Sequence, residues 1–127
     1  MTNQASHVLV VDDDELARME ISRCVEQQGY SVSLAEDGAQ ALDMLRSQTF
    51  GLVLLDLLMP GVDGFEVLRQ MKADATLREV PVIVITAVDD PESAAKCAEM
   101  EVIDHLTKPV DPKLLAERAN AILTKAS

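Results

Sequence analysis

The feature that most constrains the fold is an alternation between short apolar runs and longer segments with helical spacing. The apolar runs lie at His7–Val11, Ser31–Ala35, Leu52–Leu55, Val82–Ile85 and Val102–Leu106. In the segments between them, apolar residues recur every three or four positions, as they do on one face of an α-helix. Five repeats of strand followed by helix predict an α/β fold, in which right-handed crossover helices cover both faces of a parallel sheet.

The composition of single runs predicts their places in the sheet. Leu52–Leu55 and Val82–Ile85 are apolar throughout, which is typical of strands with both faces buried. Ser31–Ala35 alternates polar and apolar residues, which favours an edge strand. The 127 residues suit a single doubly wound domain, and we expect residues 1–6 to form a loose tail.

The helical segments predict which residues face the core. The first helix is expected to carry Asp14–Glu15 near its start and to end at Gly29, which suits a left-handed cap. The fourth is expected to begin near Pro91, and the fifth at Pro112 after an N-cap at Asp111. The core stripes predicted for the first three helices are, in order, Leu16, Met19, Ile21, Cys24 and Val25; Ala39, Ala41, Leu42 and Leu45; and Phe65, Val67, Leu68 and Met71.

An excess of acidic residues limits the partners that the chain can bind. The formal net charge is −11 and the isoelectric point is about 4.4. Because affinity for nucleic acid comes mainly from Lys and Arg that neutralise phosphates, we expect no direct binding to nucleic acid. The same charge repels anionic membranes, but it attracts divalent cations and basic protein surfaces.

The chain carries no pattern for secretion or membrane insertion. Its first residues, MTNQASH, lack the basic and apolar regions of a signal peptide. No apolar run approaches the roughly 18 residues of a membrane helix. Cys24 and Cys97 lack the spacing of a metal site or a disulfide framework, so we expect free thiols. These features predict a cytoplasmic protein.

Polar residues that can carry chemistry stand at the carboxyl ends of the predicted strands, where ligands bind in parallel α/β sheets. Asp12 and Asp13 follow the first strand, Asp56 the third, Thr86 the fourth and Lys108 the fifth. Three neighbouring carboxylates require a counter-charge. Mg²⁺ prefers oxygen ligands of this kind, and a lysine and a hydroxyl can hold further anionic oxygens.

This set of groups is suited to the transfer of a phosphoryl group onto an aspartate. Asp56 would act as the nucleophile, and Mg²⁺ would bridge oxygens of the donor and the acceptor. Lys108 and Thr86 would hold the transferred oxygens. Asp12 and Asp13 could instead be simple capping residues, but Asp56 and Lys108 end strands of their own, so we expect one shared site.

The chain resembles the receiver domain of two-component response regulators along essentially its whole length. The matching stretches are VLVVDDDE, LVLLDLLMPGVDGFEVL, VPVIVITA and HLTKPV, in that order and at the ends of the predicted strands. The resemblance implies one flavodoxin-like (βα)5 domain over residues 1–127, with a five-stranded parallel sheet in the order 2-1-3-4-5. It also implies a phosphoacceptor function in two-component signalling, in which a histidine kinase phosphorylates an aspartate in a Mg²⁺-dependent reaction.

By position, the resemblance assigns a role to each residue of the predicted site. Asp56 is implied to be the phosphorylated aspartate. Lys108 is implied to hold the phosphoryl oxygens and to precede a cis peptide bond to Pro109. Thr86 is implied to be the hydroxyl of the conformational switch. The implied ligands of Mg²⁺, for which Mn²⁺ can substitute, are Asp12, Asp13, Asp56 and the backbone carbonyl of Leu58.

The resemblance also implies the partners of the domain. A histidine kinase or a phosphotransfer protein would donate the phosphoryl group, and a downstream protein, an output domain or a second copy of the chain would bind the phosphorylated form. The domain would not be an enzyme in the usual sense, because it catalyses only its own phosphorylation and dephosphorylation. The end at Ser127 suits either a single-domain regulator or one domain of a longer protein. The contact face would combine the fourth helix, fifth strand and fifth helix, with candidates Glu92, Lys96, Glu99, Arg118 and Lys125.

Several positions depart from the family pattern. His105 stands where the family usually has Tyr or Phe, and we expect protonation of its ring to weaken the switch. The alternative is a passive, exposed histidine. Glu101 replaces a glycine that usually caps the fourth helix, so the cap would be strained or absent. Leu58 and Val88 stand where relatives guide water to the phosphoryl group, and neither orients water, which predicts slow self-dephosphorylation.

Other functions share this architecture. A pseudo-receiver would use the fold to bind proteins without phosphorylation, and a titration with Mg²⁺ and beryllofluoride separates it from a phosphoacceptor. A flavodoxin needs a phosphate-binding loop after the first strand, but that loop is acidic here. A phosphatase with an aspartyl intermediate needs a second acid two residues after its nucleophile, where this chain has Leu58. The pseudo-receiver is therefore the main alternative.

Overall fold

The computed structural model describes residues 7–59, 61–87 and 91–126, with side chains as far as residue 123. Within these ranges, strands and helices alternate. The elements are β1 His7–Val11, α1 Glu15–Gln27, β2 Ser31–Ala35, α2 Gly38–Ser47, β3 Leu52–Leu55, α3 Gly64–Ala73, β4 Val82–Thr86, α4 Pro91–Glu99, β5 Asp104–Thr107 and α5 Pro112–Ala126. The tail predicted at residues 1–6 lies outside the described residues.

All five strands are parallel and form one sheet in the order β2-β1-β3-β4-β5. The predicted α/β fold is confirmed, and so is the flavodoxin-like strand order that the resemblance implies. The strand with alternating sequence, β2, lies at an edge, while β3 and β4 are buried along their length. The order of the strands therefore places the carboxyl ends of β1, β3, β4 and β5 side by side.

The helices bury a separate apolar cluster on each face of the sheet. Consecutive strand residues point to opposite faces, so Val8 and Leu9 belong to different clusters. Helices α1 and α5 pack on one face through residues such as Ile21 and Leu115. Helices α2, α3 and α4 cover the other face, where Cys97 is a buried free thiol. Aliphatic side chains provide most of this core, because the sequence has two Phe, one Tyr and no Trp.

The single tyrosine lies at the opposite edge of the sheet from the strand carboxyl ends. Tyr30 directly precedes β2, and its hydroxyl forms a hydrogen bond with the side chain of Asn120 in α5. The Asn120 amide in turn donates to Gln28 Oε1 at 3.0 Å. This network joins the end of α1 to α5.

The core face of α1 differs from the predicted stripe. Leu16 and Met19 are expected to be buried, but they are 65% and 48% exposed, and Cys24, a free thiol, is half-buried. The prediction is wrong because two polar residues, Arg18 and Ser22, belong to the inner face, and an apolar pattern does not reveal them. The buried residues of the helix are Arg18, Ile21, Ser22 and Val25.

The stripes of α2 and α3 agree more closely with the prediction. Ala39 is exposed, contrary to the prediction, because Gly38 is the residue that faces inward in the first turn of α2. Phe65 is half-buried. The predicted residues that are buried are Ala41, Leu42, Leu45, Val67, Leu68 and Met71.

The turn between α4 and β5 shifts the fifth strand along the chain. The prediction places this strand at Val102–Leu106, but it spans Asp104–Thr107. The reason is that Glu101 adopts a left-handed conformation with a φ of 59°, and the N–H of Val102 still donates to the carbonyl of Cys97, at 3.4 Å. The chain thus completes the end of α4 before it enters the sheet. A left-handed non-glycine residue costs about 1 kcal/mol, so the expected strained cap is present.

The helices begin and end at the predicted signals. α1 follows Asp14, whose carboxylate accepts the backbone N–H two residues later at 3.2 Å. α5 begins at Pro112, and Asp111 Oδ1 accepts a first-turn N–H at 3.0 Å. Gly29 follows α1 with a φ of 93°.

Among the helices in the described ranges, none has the length and apolarity needed to cross a bilayer.

Candidate functional site

Three carboxylates from two neighbouring strands meet at the carboxyl edge of the sheet. One oxygen each of Asp12, Asp13 and Asp56 lies within 4.8 Å of the others. Asp12 and Asp56 are only 1% and 5% exposed, whereas Asp13 faces solvent. The residues converge because β1 and β3 are adjacent and pair Val11 with Leu55. The structure therefore brings together the three acids that were expected to form one site.

Lys108 reaches the same pocket from the end of β5. Its Nζ lies 2.7 Å from Asp12 Oδ2 and 3.3 Å from Asp56 Oδ2. Its backbone N–H donates to the carbonyl of Thr86 at 2.9 Å, and its peptide bond to Pro109 is cis, as the resemblance implies. The single ammonium offsets one of the three carboxylate charges. The two negative charges that are left match the charge of a divalent cation.

The remaining oxygens of the two buried acids accept hydrogen bonds. Asp12 Oδ1 accepts the backbone N–H of Asp14 at 3.0 Å, and Asp56 Oδ1 accepts that of Leu58 at 3.2 Å. Thr86 is fully buried, and its side chain also hydrogen-bonds with the Asp56 carboxylate. Both expected partners of Asp56, the lysine and the threonine, therefore contact its carboxylate.

The pocket shifts the pKa of its central groups. Burial raises the pKa of Asp56 above its usual value, and the negative charge of Asp12 adds to this effect. The hydrogen bond from Leu58, the charge of Lys108 and the hydrogen bond with Thr86 lower the pKa but do not offset the burial. For Lys108, burial lowers the pKa, yet its hydrogen bonds and charge interactions with Asp12 and Asp56 prevail and raise it. The lysine therefore stays a cation, while ionised Asp56 is costly without further positive charge.

We expect Asp56→Asn to stabilise the metal-free protein in EDTA by an amount that grows with pH. Because folding raises the pKa of Asp56 above 3.8, the unfolded chain ionises first as the pH rises past that value, and the folded state loses relative stability. Asparagine removes this cost. Urea unfolding of both proteins at a series of pH values measures the difference in stability, and its pH-dependent part should vanish in acid. A difference that does not change with pH contradicts the expected effect of burial.

The residues of the pocket fit Mg²⁺. Mg²⁺ is a hard cation that takes carboxylate and carbonyl oxygens together with water, and the pocket offers three carboxylates with two uncompensated charges. Within the described part of the chain, no other group of three or more His, Cys, Asp or Glu side chains comes together in this way. The residues that would hold the ion are Asp12, Asp13 and Asp56, with the backbone carbonyl of Leu58.

Thr86 and His105 lie on the same face of the sheet. His105 pairs with Val84, two residues before Thr86 in β4, so the three side chains project toward the face that α4 covers. His105 is half-buried, and its Nε2 is shielded from solvent without a hydrogen-bond partner among the described residues. His105 is therefore not the exposed histidine of the alternative interpretation, and its role in switching stays a prediction.

The expected contact face already contains internal contacts. Lys96 Nζ lies 4.6 Å from the centre of the Phe65 ring. Arg118 Nε lies 3.2 Å from Asp104 Oδ2 and so links α5 to β5. The side chain of Lys125 lies outside the described residues. The exposed candidates on α4 are Glu92, Lys96 and Glu99.

Two residues next to the site were not identified from the sequence. Gly64 begins α3 so close to β3 that a Cβ would lie 2.4 Å from the carbonyl oxygen of Asp56 and 2.6 Å from Leu57 Cα. Arg18 is 8% exposed, and its Nη1 donates to the carbonyl of Asp12 at 2.8 Å. The local sequence reveals neither contact. The glycine resembles any glycine at the start of a helix, and the arginine interrupts an apolar stripe.

Comparison with known proteins connects this geometry to a family. The family model described as the response regulator receiver domain matches residues 8–120. The response regulator PleD of Caulobacter vibrioides is 38% identical over 118 residues, which are 93% of this chain and 26% of PleD. The response regulator MprA of Mycobacterium sp. is 38% identical over 120 residues, which are 94% of this chain and 51% of MprA. The chain thus spans about a quarter and about half of these relatives.

A shorter relative and two solved structures agree with the match. The protein PilH of Pseudomonas aeruginosa is 33% identical over 118 residues, which are 93% of this chain and 98% of PilH. The chemotaxis protein CheY4 of Vibrio cholerae superposes with a TM-score of 0.85 at 27% identity, covering 91% of this chain and 97% of that one. The BeF3-activated DrrB receiver domain superposes with a TM-score of 0.83 at 32% identity, covering 93% and 97%. With its five parallel strands and the acids gathered at their ends, the chain belongs to the response regulator receiver domain family.

Proposed function

We propose that this chain is a phosphoacceptor receiver domain, in which Asp56 accepts a phosphoryl group from a histidine kinase or a phosphotransfer protein. The observation that supports the proposal is the setting of Asp56: its carboxylate is buried, contacts the Lys108 ammonium and lies beside two further acids. A nucleophile between a cation and a candidate metal site is what phosphoryl transfer to an aspartate requires. Proteins of this family act in signalling, and phosphorylation would switch a binding face.

The proposed transfer replaces one P–N bond by one P–O bond. A carboxylate oxygen of Asp56 attacks the phosphorus of a phosphohistidine, the bond from phosphorus to the imidazole nitrogen breaks, and the leaving imidazole takes up a proton from water. Lys108 Nζ and the Thr86 hydroxyl donate hydrogen bonds to the transferred oxygens. When bound, Mg²⁺ neutralises negative charge on these oxygens.

The proposal includes the response to phosphorylation. Thr86 moves toward the phosphoryl group, and the ring of His105 follows, because the two side chains share one face of the sheet. The change alters the face formed by α4, β5 and α5, which then binds a downstream protein, an output domain or a second copy of the chain. Residues 1–127 would form this single unit, acting in the cytoplasm without direct contact with nucleic acid or membrane.

Incubation with acetyl phosphate and Mg²⁺ tests the proposal. Intact mass spectrometry should show the addition of one phosphoryl group, and beryllofluoride with Mg²⁺ should shift the NMR resonances of residues around Asp56. A protein that responds to neither reagent is a pseudo-receiver, which binds its partners independently of phosphorylation. Full labelling in EDTA would contradict the proposed Mg²⁺ dependence.

We expect the acyl phosphate on Asp56 to hydrolyse slowly, and we expect Leu58→Asn to shorten the lifetime of the phosphorylated form. Leu58 is 55% exposed beside Asp56, and its apolar side chain cannot orient an attacking water. An amide can do so, and hydrolysis should accelerate by about tenfold, or about 1.4 kcal/mol in activation free energy. The loss of label after removal of the donor measures the rate. A lifetime of seconds that Leu58→Asn leaves unchanged contradicts the prediction; Val88, the second position, lies outside the described residues.

We expect the conformational response to phosphorylation to weaken in acid. Because His105 Nε2 is shielded from solvent and has no hydrogen-bond partner among the described residues, a cationic ring would be buried without compensation at this atom, which opposes the inward position of the ring. The shift of the Thr86 amide resonance on phosphorylation, followed from about pH 5.5 to about pH 8, measures the response. His105→Phe should respond equally at all these pH values. An equal pH dependence in that variant would show that another group is responsible.

A further inference from the structure

The buried arginine of α1 has no part in the chemistry described so far. Arg18 is 8% exposed, and among the described side chains no other arginine or lysine is buried. Its Nη2 lies 3.5 Å from Glu36 Oε1, but the Glu36 side chain is 71% exposed, so this ion pair compensates the burial of the guanidinium only weakly. The burial of this charge must therefore be compensated mainly by the hydrogen bonds that the guanidinium donates.

The short contact of Arg18 is with the backbone of the acid pair. Its Nη1 donates to the carbonyl oxygen of Asp12 at 2.8 Å. On the other side of the same residue, the Asp12 N–H donates to the carbonyl of Ala35 at 3.2 Å. Strand β1 ends at Val11, so the Asp12 carbonyl lies beyond the ladder of the sheet and needs a donor from elsewhere. Arg18 and Ala35 therefore hold Asp12 from both sides.

The carbonyl that Arg18 holds belongs to the peptide group between Asp12 and Asp13. Because a peptide group is planar, fixing its oxygen also fixes the direction in which the chain enters Asp13. The Asp13 carboxylate is exposed and has no hydrogen-bond donor within the described part of the chain. The position of the Asp13 carboxylate beside Asp56 therefore depends on the backbone that the hydrogen bond from Arg18 holds in place.

We propose that Arg18 is a positioning residue for the divalent cation, because it holds the peptide group between Asp12 and Asp13 so that both carboxylates face Asp56. The inference rests on the proposed function for the presence of a cation site, but it concerns the binding of the cation and not the transfer of phosphate. Groups that orient metal ligands typically change metal affinity by about 10- to 100-fold when they are removed. The expected effect therefore lies in Mg²⁺ affinity.

Arg18→Met tests the proposal, because it keeps the unbranched apolar stem and removes the donors and the charge. We expect its dissociation constant for Mg²⁺, measured by calorimetric or NMR titration of the full chain, to rise by about tenfold or more. Arg18→Lys keeps one cationic donor and should recover most of the lost affinity. The phosphorylation of Arg18→Met by acetyl phosphate should be slow at low Mg²⁺ and should recover as Mg²⁺ is raised, so the defect appears as a shifted Mg²⁺ dependence.

Two control variants separate positioning from stability and from charge. Ser22→Ala changes a buried polar residue one turn further along the same face of α1, and whatever its effect on stability, it should leave Mg²⁺ affinity unchanged. Glu36→Gln removes the acidic partner of Arg18 and should also leave it unchanged. In metal-free Arg18→Met, amide hydrogen exchange should accelerate at Asp14, whose N–H binds Asp12 Oδ1 at 3.0 Å, but not in the middle of α1.

Folded Arg18→Met with a Mg²⁺ affinity within about twofold of the wild type overturns the proposal. An equal loss of affinity in Ser22→Ala also overturns it, since the effect would then come from a general loosening of α1. If Arg18→Met does not fold, the affinity of Arg18→Gln decides by the same criterion. A wild-type protein that binds Mg²⁺ but is never phosphorylated overturns the proposed function instead, and the Mg²⁺ titrations still decide the role of Arg18.

Discussion

Asp56→Asn is expected to take up no phosphoryl group from acetyl phosphate or from a phosphorylated donor protein. Asparagine keeps the shape of the side chain but lacks a carboxylate oxygen, so the acyl phosphate cannot form. We expect the rate of labelling to fall by at least about a thousandfold, which corresponds to about 4 kcal/mol of activation free energy. Intact mass spectrometry of the chain, with Mg²⁺ present and over a series of incubation times, measures the loss.

The controls for this variant come from other acids of the chain. Asp43→Asn changes an exposed acid of α2 outside the pocket and should be labelled at the wild-type rate. Asp13→Asn keeps the nucleophile but removes a proposed cation ligand, so its slow labelling should recover as Mg²⁺ is raised. The urea midpoint of Asp56→Asn in EDTA verifies that the variant is folded. Label that forms on Asp56→Asn at the wild-type rate would place the phosphoacceptor elsewhere.

Gly64→Ala is expected to destabilise the protein strongly, although the substitution removes no contact. The added Cβ would lie 2.4 Å from the carbonyl oxygen of Asp56 and 2.6 Å from Leu57 Cα, and these are backbone atoms that cannot rotate away. The N–H of Gly64 also donates to the carbonyl of Leu57 at 3.1 Å, so α3 cannot retreat without losing this hydrogen bond. We expect a cost of about 3 kcal/mol and a fall of about 10 °C in the unfolding temperature.

The backbone that Gly64→Ala displaces also carries the nucleophile, so labelling of Asp56 should slow in the protein that remains folded. Gly29→Ala is the matched control. Its Cβ would meet nothing within 4 Å, and the only penalty is a φ of 93°, so we expect a loss of about 1 kcal/mol and normal labelling. Equal losses of stability in the two variants would show that the close approach to the backbone of Asp56 and Leu57 does not govern the effect at Gly64.

The sequence predicts features that depend on the periodicity and the ends of elements. Apolar runs identify the five strands. Asp12 and Asp56 are recognisable as site residues because each directly follows a run that a parallel sheet gathers at one edge, and Lys108 lies two residues after such a run. The edge position of β2 follows in the same way from its alternation. These inferences need only local patterns and the geometry of α/β sheets.

Features that depend on contacts between distant segments could not be predicted. The inner face of α1 includes Arg18, whose partner is a backbone carbonyl in the preceding loop. A pattern of apolar residues cannot identify a polar residue that is buried in this way. The start of β5 depends on the left-handed conformation of Glu101, a position where glycine would have marked the turn. The need for Gly64 arises from the approach of α3 to the backbone of Asp56 and Leu57, directly after β3, and this approach is visible only in the folded chain.

The hydrogen bond that anchors Tyr30 to Asn120 has a consequence for spectroscopy. Tyr30 is the only tyrosine in a chain without tryptophan, and it lies at the edge of the sheet away from Asp56. Intrinsic fluorescence therefore reports the loss of the fold but not the loading of the acid pocket. A Leu58→Trp variant would place an emitting indole beside Asp56, where quenching by an added ligand could be followed in real time.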